Sequence, residues 1–302
     1  MDKLKYMAIF VEVANGEGFT AAAELMGLSR AQVSKAVIHL ETHLGSRLLN
    51  RTTRRVSLTE IGRIYYERCK TILCDINEIE AIASEQSVTP SGVLRLSAST
   101  SFAVLHLSSA IPVYLKQYPG VQISLSLADR QVDIISEGYD IALRIAKMED
   151  SSLIARKLAP CKRVFCASPE YLAKNGTPLN PQDLKTHQCL IYLNDPNPST
   201  WTLHGTKKTE SVKVNGPICA DNGDILKAAT INSLGISLLP TFMVGPDIRA
   251  GHLSQVLADY CPPEISIYAV FPSRRYISAK VRTFIDFLSN TFGDNPSWDQ
   301  LS

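Results

Sequence analysis

Basic side chains are concentrated between Arg30 and Arg55, although the whole chain carries a formal net charge of only +2. Glu41 is the single acid in that stretch. The basic residues are Arg30, Lys35, Arg47, Arg51, Arg54 and Arg55. Guanidinium and ammonium groups grouped in this way can neutralise the phosphates of a nucleic acid. A solvated basic face that binds nothing has the same composition, so charge alone leaves both interpretations open.

A second set of polar residues has the types and spacing to bind a small anion. These residues stand where alternating segments give way to predicted helices, at the start of TSFAVLHL and of GDILKAA. They are Ser99, Thr100, Ser101 and Phe102 in the first place and Asn222 and Gly223 in the second. Hydroxyls and free backbone N–H groups at helix N-termini favour a carboxylate. Arg144, at the end of DIALR, could neutralise the same ligand.

Each of these residues also has a purely structural interpretation. Ser99 and Ser101 could serve only as helix N-caps. Arg144 could form a structural salt bridge, and Trp201 is expected to pack in a core. The sequence alone therefore predicts a candidate anion site without excluding a structural role for its members.

The elements that must position the basic cluster are predicted to be three helices and a wing within residues 1–58. Apolar side chains recur at helical spacing from Leu4 to Ala14. A second, alanine-rich helix ends at Gly27. Ser29 and Gln32 have the spacing of a capping box at the start of the third helix. The segment RLLNRTTRRVSLT alternates as two short strands, which predicts the wing.

Residues 59–87 are predicted to form one long helix with a narrow apolar seam. The seam runs through Ile61, Tyr65, Cys69, Ile72 and Ile76 at steps of three and four residues. A helix of this length with so narrow a seam favours pairing with the same helix of a second subunit. Packing against the chain's own globular part is the alternative.

Residues 88–92 are predicted to be a hinge, because Pro90 and Gly92 interrupt the helical pattern. After the hinge, alternating segments and helices follow one another as strand, helix and strand, which predicts an α/β domain with a parallel sheet over residues 93–302. The last strand is predicted at 265–271 and the last helix at 276–292. The tail after Gly293 is expected to be disordered.

Several classes of protein are disfavoured by what the sequence contains. The seven cysteines form no CxxC pair and are expected to be reduced core residues, so neither a disulfide framework nor a metal site is predicted. No signal peptide and no long apolar run occur, which indicates a cytoplasmic protein that does not bind membranes.

The motifs GxSxG, HExxH and Walker A are missing, so no enzyme activity, catalytic residue or cofactor is predicted. An exported solute-binding protein would account for residues 93–302 only, and a nonspecific nucleoid protein would leave them without a role.

The segment FTAAAELMGLSRAQVSKAVIHLETHLGSRLLNRTTRRVSLTEIG resembles the DNA-binding signature of the LysR-type transcriptional regulators in residues and spacing. Later stretches, among them YPGVQISLSLADR and DNGDILKAATINSLGISLLP, extend the resemblance over essentially the whole chain. It implies a winged helix-turn-helix at 1–58, a dimerising linker helix at 59–87 and an effector domain of the periplasmic-binding-protein type at 93–302. Its first subdomain would hold residues 93–162 and 266–292, and its second 163–265. Homodimers or homotetramers on interrupted palindromic double-stranded DNA are also implied.

The resemblance also assigns expected roles to individual residues. The helix that opens at Ser29 would enter the major groove by its N-terminal end. Groove contacts would come from Arg30, Ala31, Gln32, Ser34 and Lys35, and phosphate or minor-groove contacts from Thr20, Arg51, Arg54 and Arg55. An arginine such as Arg30 can bind a guanine edge through two hydrogen bonds. The family more often has Gln-Pro where this chain has Arg30-Ala31. The two anion-binding loops would line a cleft between the subdomains, and the effector would be a small organic acid or related metabolite.

Overall fold

The computed structural model describes residues 2–16, 18–51, 56–83, 89–147, 153–206, 208–272 and 277–300. It divides the chain into two units, residues 1–93 and 94–302.

The first unit is a three-helix fold with a two-stranded wing and a long final helix. Its elements are α1 (Lys3–Asn15), α2 (Phe19–Met26), α3 (Arg30–Leu44), β1 (Leu49–Arg51), β2 (Val56–Leu58) and α4 (Glu60–Ala83). The strands β1 and β2 pair antiparallel, as expected for a wing. The core is formed by apolar side chains of α1, α2 and α3 together with Leu48 and Leu49, which lead into the wing.

Local sequence signals define both ends of α3. The Ser29 side chain accepts a hydrogen bond from the backbone of Gln32, and the Gln32 side chain accepts one from the backbone of Ser29, which confirms the predicted capping box. Gly45 ends the helix in the left-handed conformation, with φ of 64°, where a side chain would be strained.

The apolar seam of α4 is divided between two environments. Cys69 is buried, and Tyr65 and Leu73 pack against the core of the first unit. Ile61 and Ile72 belong to the same predicted seam, but they are exposed. Part of the seam therefore packs on the chain's own globular part, and part of it remains without cover.

The second unit contains two five-stranded sheets and a separate hairpin. Its strands are β3 (Gly92–Ala98), β4 (Val121–Leu127), β5 (Ile141–Ala146), β6 (Leu153–Cys161), β7 (Arg163–Ala167), β8 (Cys189–Tyr192), β9 (Thr200–His204), β10 (Thr209–Lys213), β11 (Cys219–Ala220), β12 (Ile236–Pro240), β13 (Ser254–Val256) and β14 (Ile265–Pro272). The helices are α5 (Thr100–Phe102), a π-helical turn (Ala103–Leu107), α6 (Ser108–Gln117), α7 (Pro169–Asn175), α8 (Gly223–Ile231), α9 (Thr241–Arg249) and α10 (Ala279–Phe292), with short 3₁₀ helices at Pro181–Lys185 and Ser297–Asp299.

The two sheets divide this unit into two halves. The first sheet has the order β4-β3-β5-β14-β6, and the second has the order β11-β8-β12-β7-β13. We call residues 94–161 and 265–300 the first half and residues 163–264 the second half. The chain passes from the first half to the second at Lys162 and returns before β14.

Neither sheet is purely parallel, which corrects the prediction. In the first sheet β3 and β5 are parallel, but β14 lies antiparallel between β5 and β6. In the second sheet β12 is parallel to β8 and antiparallel to β7. The βαβ pattern at the start of the domain could not reveal strands that return to the sheet from distant parts of the chain.

Residues 294–300 have a defined structure, so the prediction of a disordered tail is wrong for them, and residues 301–302 lie outside the described residues. The described segment includes a 3₁₀ turn at Ser297–Asp299. The Trp298 side chain is only 7% exposed and belongs to the main core of the second unit. A single tryptophan in a short polar segment gives no periodicity, which is why the pattern alone did not predict its burial.

Six of the seven cysteine side chains are described and divide between the interior and the surface, while that of Cys74 lies outside the described residues. Cys69, Cys161, Cys166 and Cys189 are buried, as predicted. Cys219 and Cys261 are exposed, which corrects the prediction for these two. Burial raises the pKa of the Cys161, Cys166 and Cys189 thiols to about 12, so these three side chains are neutral thiols at physiological pH. Within the described ranges, no helix combines the length and apolar composition that a bilayer crossing requires.

Candidate nucleic-acid interface and effector site

The N-terminal end of α3 presents a polar face away from the core of the first unit. The buried face of the helix is formed by Val33, Ala36, Val37 and Leu40. Arg30, Ala31 and Lys35 are exposed, and Ser34 is half-buried. Residues four apart lie on the same face of a helix, so Arg30 and Ala31 stand one turn before Ser34 and Lys35. The sequence-predicted groove residues therefore form one exposed patch.

Gln32 is held in the capping box rather than left free for base contact. Its Oε1 accepts from the Ser29 backbone N at 2.8 Å, and the Gln32 backbone N donates to Ser29 Oγ at 3.2 Å. A base contact by Gln32 would have to use the side-chain NH₂ or break the cap. The geometry therefore supports a capping role for Gln32 more strongly than the base contact that was also expected of it.

The base of the wing is fixed by residues that sequence reasoning did not assign. Glu41, the lone acid of the basic stretch, accepts through Oε1 from the backbone N of Leu48 at 2.9 Å and of Leu49 at 3.1 Å. Gly62 lies so close to this turn that a Cβ would stand 1.9 Å from the Leu48 carbonyl oxygen. The acid that interrupts the basic run is thus needed to position β1.

The remaining predicted contacts lie at the edges of the first unit. Thr20 is exposed at the second residue of α2. Arg51 ends β1, where it pairs with Val56. Arg54 and Arg55 lie outside the described residues, so their contacts with phosphate remain predictions.

In the second unit, the structure brings the two predicted anion-binding loops together. Ser101 Oγ donates to Asp224 Oδ2 at 2.7 Å, and a Cβ on Gly223 would stand 3.9 Å from Ser101 Oγ. Asn222 caps α8, because its Oδ1 accepts from the backbone N of Asp224 and Ile225. The start of α5 belongs to the first half and the start of α8 to the second, so these contacts join the halves.

Asp129 lies at the centre of this contact and was not predicted. Its Oδ1 accepts from the Thr100 backbone N at 2.9 Å, and its Oδ2 accepts from Asn222 Nδ2 at 2.8 Å. Asn194 Nδ2 donates to the Asp129 carbonyl oxygen at 3.0 Å. We call Thr100, Ser101, Asp129, Asn222 and Asp224 the junction cluster. The sequence did contain one signal for Asp129, because this residue follows the alternating segment that forms β4. In the structure, Ala128 N donates to Ala98 O, which brings the end of β4 beside the end of β3.

The remaining predicted effector residues have other surroundings. Phe102 is 1% exposed and packs edge-on against Phe242, so it is a core residue rather than a surface contact. The Ser99 hydroxyl makes no capping hydrogen bond. Arg144 donates to the backbone carbonyl of Val132. Burial lowers the pKa of the Arg144 guanidinium, and Asp133 partly offsets that effect.

Two further observations concern metal binding and the role of Trp201. Within the described residues, no group of three histidine, cysteine or acidic side chains could hold a metal ion. Trp201 is buried and stacks at a tilt on Phe165, as predicted for a packing residue.

The arrangement of a winged helix-turn-helix followed by a two-sheet domain has clear relatives. Residues 4–63 match the family described as "Bacterial regulatory helix-turn-helix protein, lysR family", and residues 87–293 match "LysR substrate binding domain". The chain belongs to the LysR family of transcriptional regulators. It is a DNA-binding LysR-type regulator with an effector-binding domain, and proteins of this family act as oligomers.

Individual LysR relatives match over nearly the whole chain. The transcriptional regulator DmlR of Escherichia coli strain K12 is 37% identical over 293 residues, which cover 97% of this chain and 95% of DmlR. CrgA of Neisseria meningitidis serogroup C is 34% identical over 291 residues, with 96% and 97% covered. The CrgA structure from Neisseria meningitidis superposes with a TM-score of 0.62 at 33% identity, covering 96% of this chain and 99% of CrgA. The full-length Vibrio cholerae virulence activator AphB gives 0.61 at 27% identity, covering 95% and 99%.

Proposed function

We propose that this LysR regulator binds a specific, interrupted palindromic operator through the N-terminal end of α3. The observation that supports this proposal is the exposed patch of Arg30, Ala31, Ser34 and Lys35 on a helix whose opposite face is buried. Arg30 would read a guanine edge, while the wing arginines Arg51, Arg54 and Arg55 and the α2 residue Thr20 would contact the backbone. Because its target is the chromosome, the protein would work in the bacterial cytoplasm, and no catalytic step or cofactor enters this function.

Gel-shift titrations over a salt series test the groove assignment. We expect Arg30→Ala to lower the preference for the operator over random DNA. Arg54→Ala should weaken both alike and reduce the salt slope by about one. Lys213→Ala, which removes one positive charge from an exposed strand residue of the second unit, is the matched control and should change neither. Unchanged affinity in both arginine variants would show that α3 and the wing do not contact DNA.

We further propose that the effector is a small organic acid or related metabolite that binds at the junction cluster. The supporting observation is that Asp129, itself a carboxylate, accepts hydrogen bonds from both halves there, through Thr100 N and Asn222 Nδ2. These donors therefore have a geometry that suits a carboxylate, and an effector acid would use the same donors in place of Asp129. Ser99 and Ser101 would add hydroxyl contacts.

Calorimetric titration of a panel of small organic acids tests the effector class. We expect Ser99→Ala to weaken binding, and Asp129→Ala to strengthen it because the internal competitor is removed. A panel in which no acid binds to the wild type or to Asp129→Ala would reject an organic acid as the effector.

The regulator is proposed to act as a dimer that assembles into a tetramer, with α4 as the dimer contact. Ile61, Ile64 and Ile72 are exposed apolar side chains on this helix, and a second α4 would cover them. Sedimentation analysis should show a loss of dimer in Ile72→Glu but not in Leu179→Glu, which places the same charge at an exposed apolar residue of the second unit. An unchanged oligomer in Ile72→Glu would exclude this contact.

A further inference from the structure

The segment after α10 folds back from the first half onto the second. Gly293 ends α10 with φ of 62°, and the following residues form the turn Ser297–Asp299. Arg249 Nη1, at the end of α9, donates to the Gln300 carbonyl oxygen at 2.5 Å. We call residues 293–300 the strap. It adds a third connection between the halves, beside the two points where the main chain crosses.

The strap lies on one of those crossings. Lys162 is the residue between β6 and β7, and its carbonyl oxygen accepts from the Thr241 backbone N at 2.9 Å. The Thr241 hydroxyl donates to Asp299 Oδ1 at 2.6 Å, and Lys162 Nζ lies 3.6 Å from Asp299 Oδ2. Thr241 is fully buried. Asp299 therefore joins the strap to the crossing residue and to the first residue of α9 at the same time.

Trp298 of the strap packs between aromatic residues of both halves. The centroid of its ring lies 4.4 Å from that of the His106 ring and 6.1 Å from that of the Phe102 ring, which it meets edge-on. Both of these residues are in the first half. The ring centroid of Phe242, at the start of α9 in the second half, is 6.4 Å away, again edge-on. Within the described residues, Trp298 Nε1 is buried without a hydrogen-bond partner. The indole is thus held by ring packing, on His106, Phe102 and Phe292 of the first half and on Phe242 of the second.

The strap contacts the residue that follows the junction cluster in α5. Phe102, which contacts Trp298, is the next residue after Ser101, whose hydroxyl donates to Asp224 across the halves. A rotation of one half against the other would separate Phe102 from Phe242 and Lys162 from Thr241. The same rotation would break the contacts of Ser101 and Asp129 with α8. Packed interfaces of this kind change between discrete arrangements rather than by gradual stretching.

We propose that the strap docks only in the arrangement of the halves in which the junction cluster is formed, so that the two sets of contacts open and close together. Because linkage is reciprocal, loosening either set must loosen the other. The inference rests on the proposed function only in what the opening serves, namely admission and release of an effector. The strap then sets how easily the junction opens and so how much binding energy an effector must supply.

Hydrogen exchange of the full chain without any effector, followed by mass spectrometry, tests this linkage. Asp299→Ala removes the carboxylate that joins Thr241 and Lys162, whereas Asp294→Ala makes the same substitution at an exposed residue of the same segment. Thr100 N donates to Asp129 Oδ1 and Ile225 N donates to Asn222 Oδ1, each within its own half, and the bond between Asn222 and Asp129 across the halves holds both acceptors in place. Because opening of the junction would release these acceptors, we expect exchange at the two N–H groups to become about fivefold faster in Asp299→Ala and to stay at the wild-type rate in Asp294→Ala. A strap that exchanges faster while Thr100 and Ile225 keep their wild-type protection would overturn the proposal.

The reverse substitution keeps the test valid if Asp299→Ala disturbs the whole half. Ser101→Ala removes only the hydroxyl that bonds Asp224, and it should accelerate exchange of the Asp299 and Gln300 amides, which donate to Pro296 O and Ser297 O within the strap. Unaltered strap exchange in Ser101→Ala would show that the two sets are independent. Because no ligand is added, a failure to find an organic acid effector leaves this result unaffected, and the linkage can fail while an acid still binds.

Discussion

The N-terminal end of α3 and the junction cluster differ in whether their proposed functional side chains are bonded within the protein. Arg30, Ala31 and Lys35 project from the first unit as exposed residues, and the fold depends on the other face of their helix. In the junction cluster, Ser101 and Asn222 are already bonded to the protein's own carboxylates, Asp224 and Asp129. We therefore expect that the proposed DNA-binding face can change its specificity without loss of stability, whereas a change in the junction cluster should alter the fold and the proposed response together.

The largest effect on stability is expected at the base of the wing, where Gly62 packs closely against the Leu48 carbonyl group. Gly62→Ala would place a Cβ 1.9 Å from the Leu48 carbonyl oxygen, so the base of the wing must shift. We expect the free energy of unfolding of the first unit to fall by about 1–3 kcal/mol, and DNA affinity to fall with it. Thermal unfolding and gel shifts measure the two effects. Glu67→Ala, at an exposed position of the same helix, should leave stability close to that of the wild type.

The next largest effect is expected from a substitution at Ala31, on the exposed face of α3, that changes DNA affinity and stability in opposite directions. Ala31→Glu puts a negative charge in the first turn of α3, where the helix dipole favours it, so the first unit should become more stable by about 0.3–1 kcal/mol. The same charge would face phosphates, and DNA affinity should fall about tenfold or more, equivalent to about 1.4 kcal/mol. Ala31→Gln has a similar shape without the charge and should bind nearly as well as the wild type. If stability and binding fell together in Ala31→Glu, the proposed independence of this face from the fold would be wrong.

A smaller loss is expected when the central carboxylate of the junction cluster is removed. In Asp129→Ala, Thr100 N and Asn222 Nδ2 lose their acceptor, and the free energy of unfolding of the second unit should fall by about 1 kcal/mol. Urea unfolding measures the change. Asp221→Ala removes an exposed carboxylate in the neighbouring loop and is the matched control. Equal stability of the two variants would mean that the junction cluster does not support the fold.

The smallest expected effect is a pH dependence of the second unit. Burial lowers the pKa of His106 below its ordinary value of 6.5, and the Phe242 carbonyl oxygen only partly offsets this shift. Below 6.5 the unfolded chain binds a proton that the folded chain still excludes, so stability falls as the pH decreases toward the folded pKa. Melting temperatures measured above and below 6.5 should differ less in His106→Gln than in the wild type. Burial also lowers the pKa of His187, so part of the slope should remain in that variant.

Much of the first unit could be predicted because its signals are local. The capping box of Ser29 and Gln32 and the left-handed Gly45 fix the ends of α3 within a few residues of sequence. The resemblance to the LysR family then assigns the groove residues to the helix that begins there. The start of α7 has the same kind of local signal, because Ser168 caps the helix and Pro169 begins it.

The remaining features depend on contacts between distant parts of the chain. Asp129 bonds to residues 29 and 93 positions away, and no short motif records those distances. The strand β6 was missed because its partner β14 lies more than a hundred residues later. Trp298 is buried only because α10 ends beside Phe102 and α9. In each case the sequence showed the residue type, and only the fold showed its partner.

The insertion of β14 between β5 and β6 determines the order in which a growing chain can complete its sheets. The described strands of the second sheet lie within residues 163–256, so all of them leave the ribosome ahead of β14. Among the described strands, β6 has no neighbour in the first sheet other than β14, so β6 emerges early and must wait for its partner. The sheet that is encoded first is therefore finished last, and during synthesis the nascent chain exposes an unpaired edge that favours chaperone binding or misassembly.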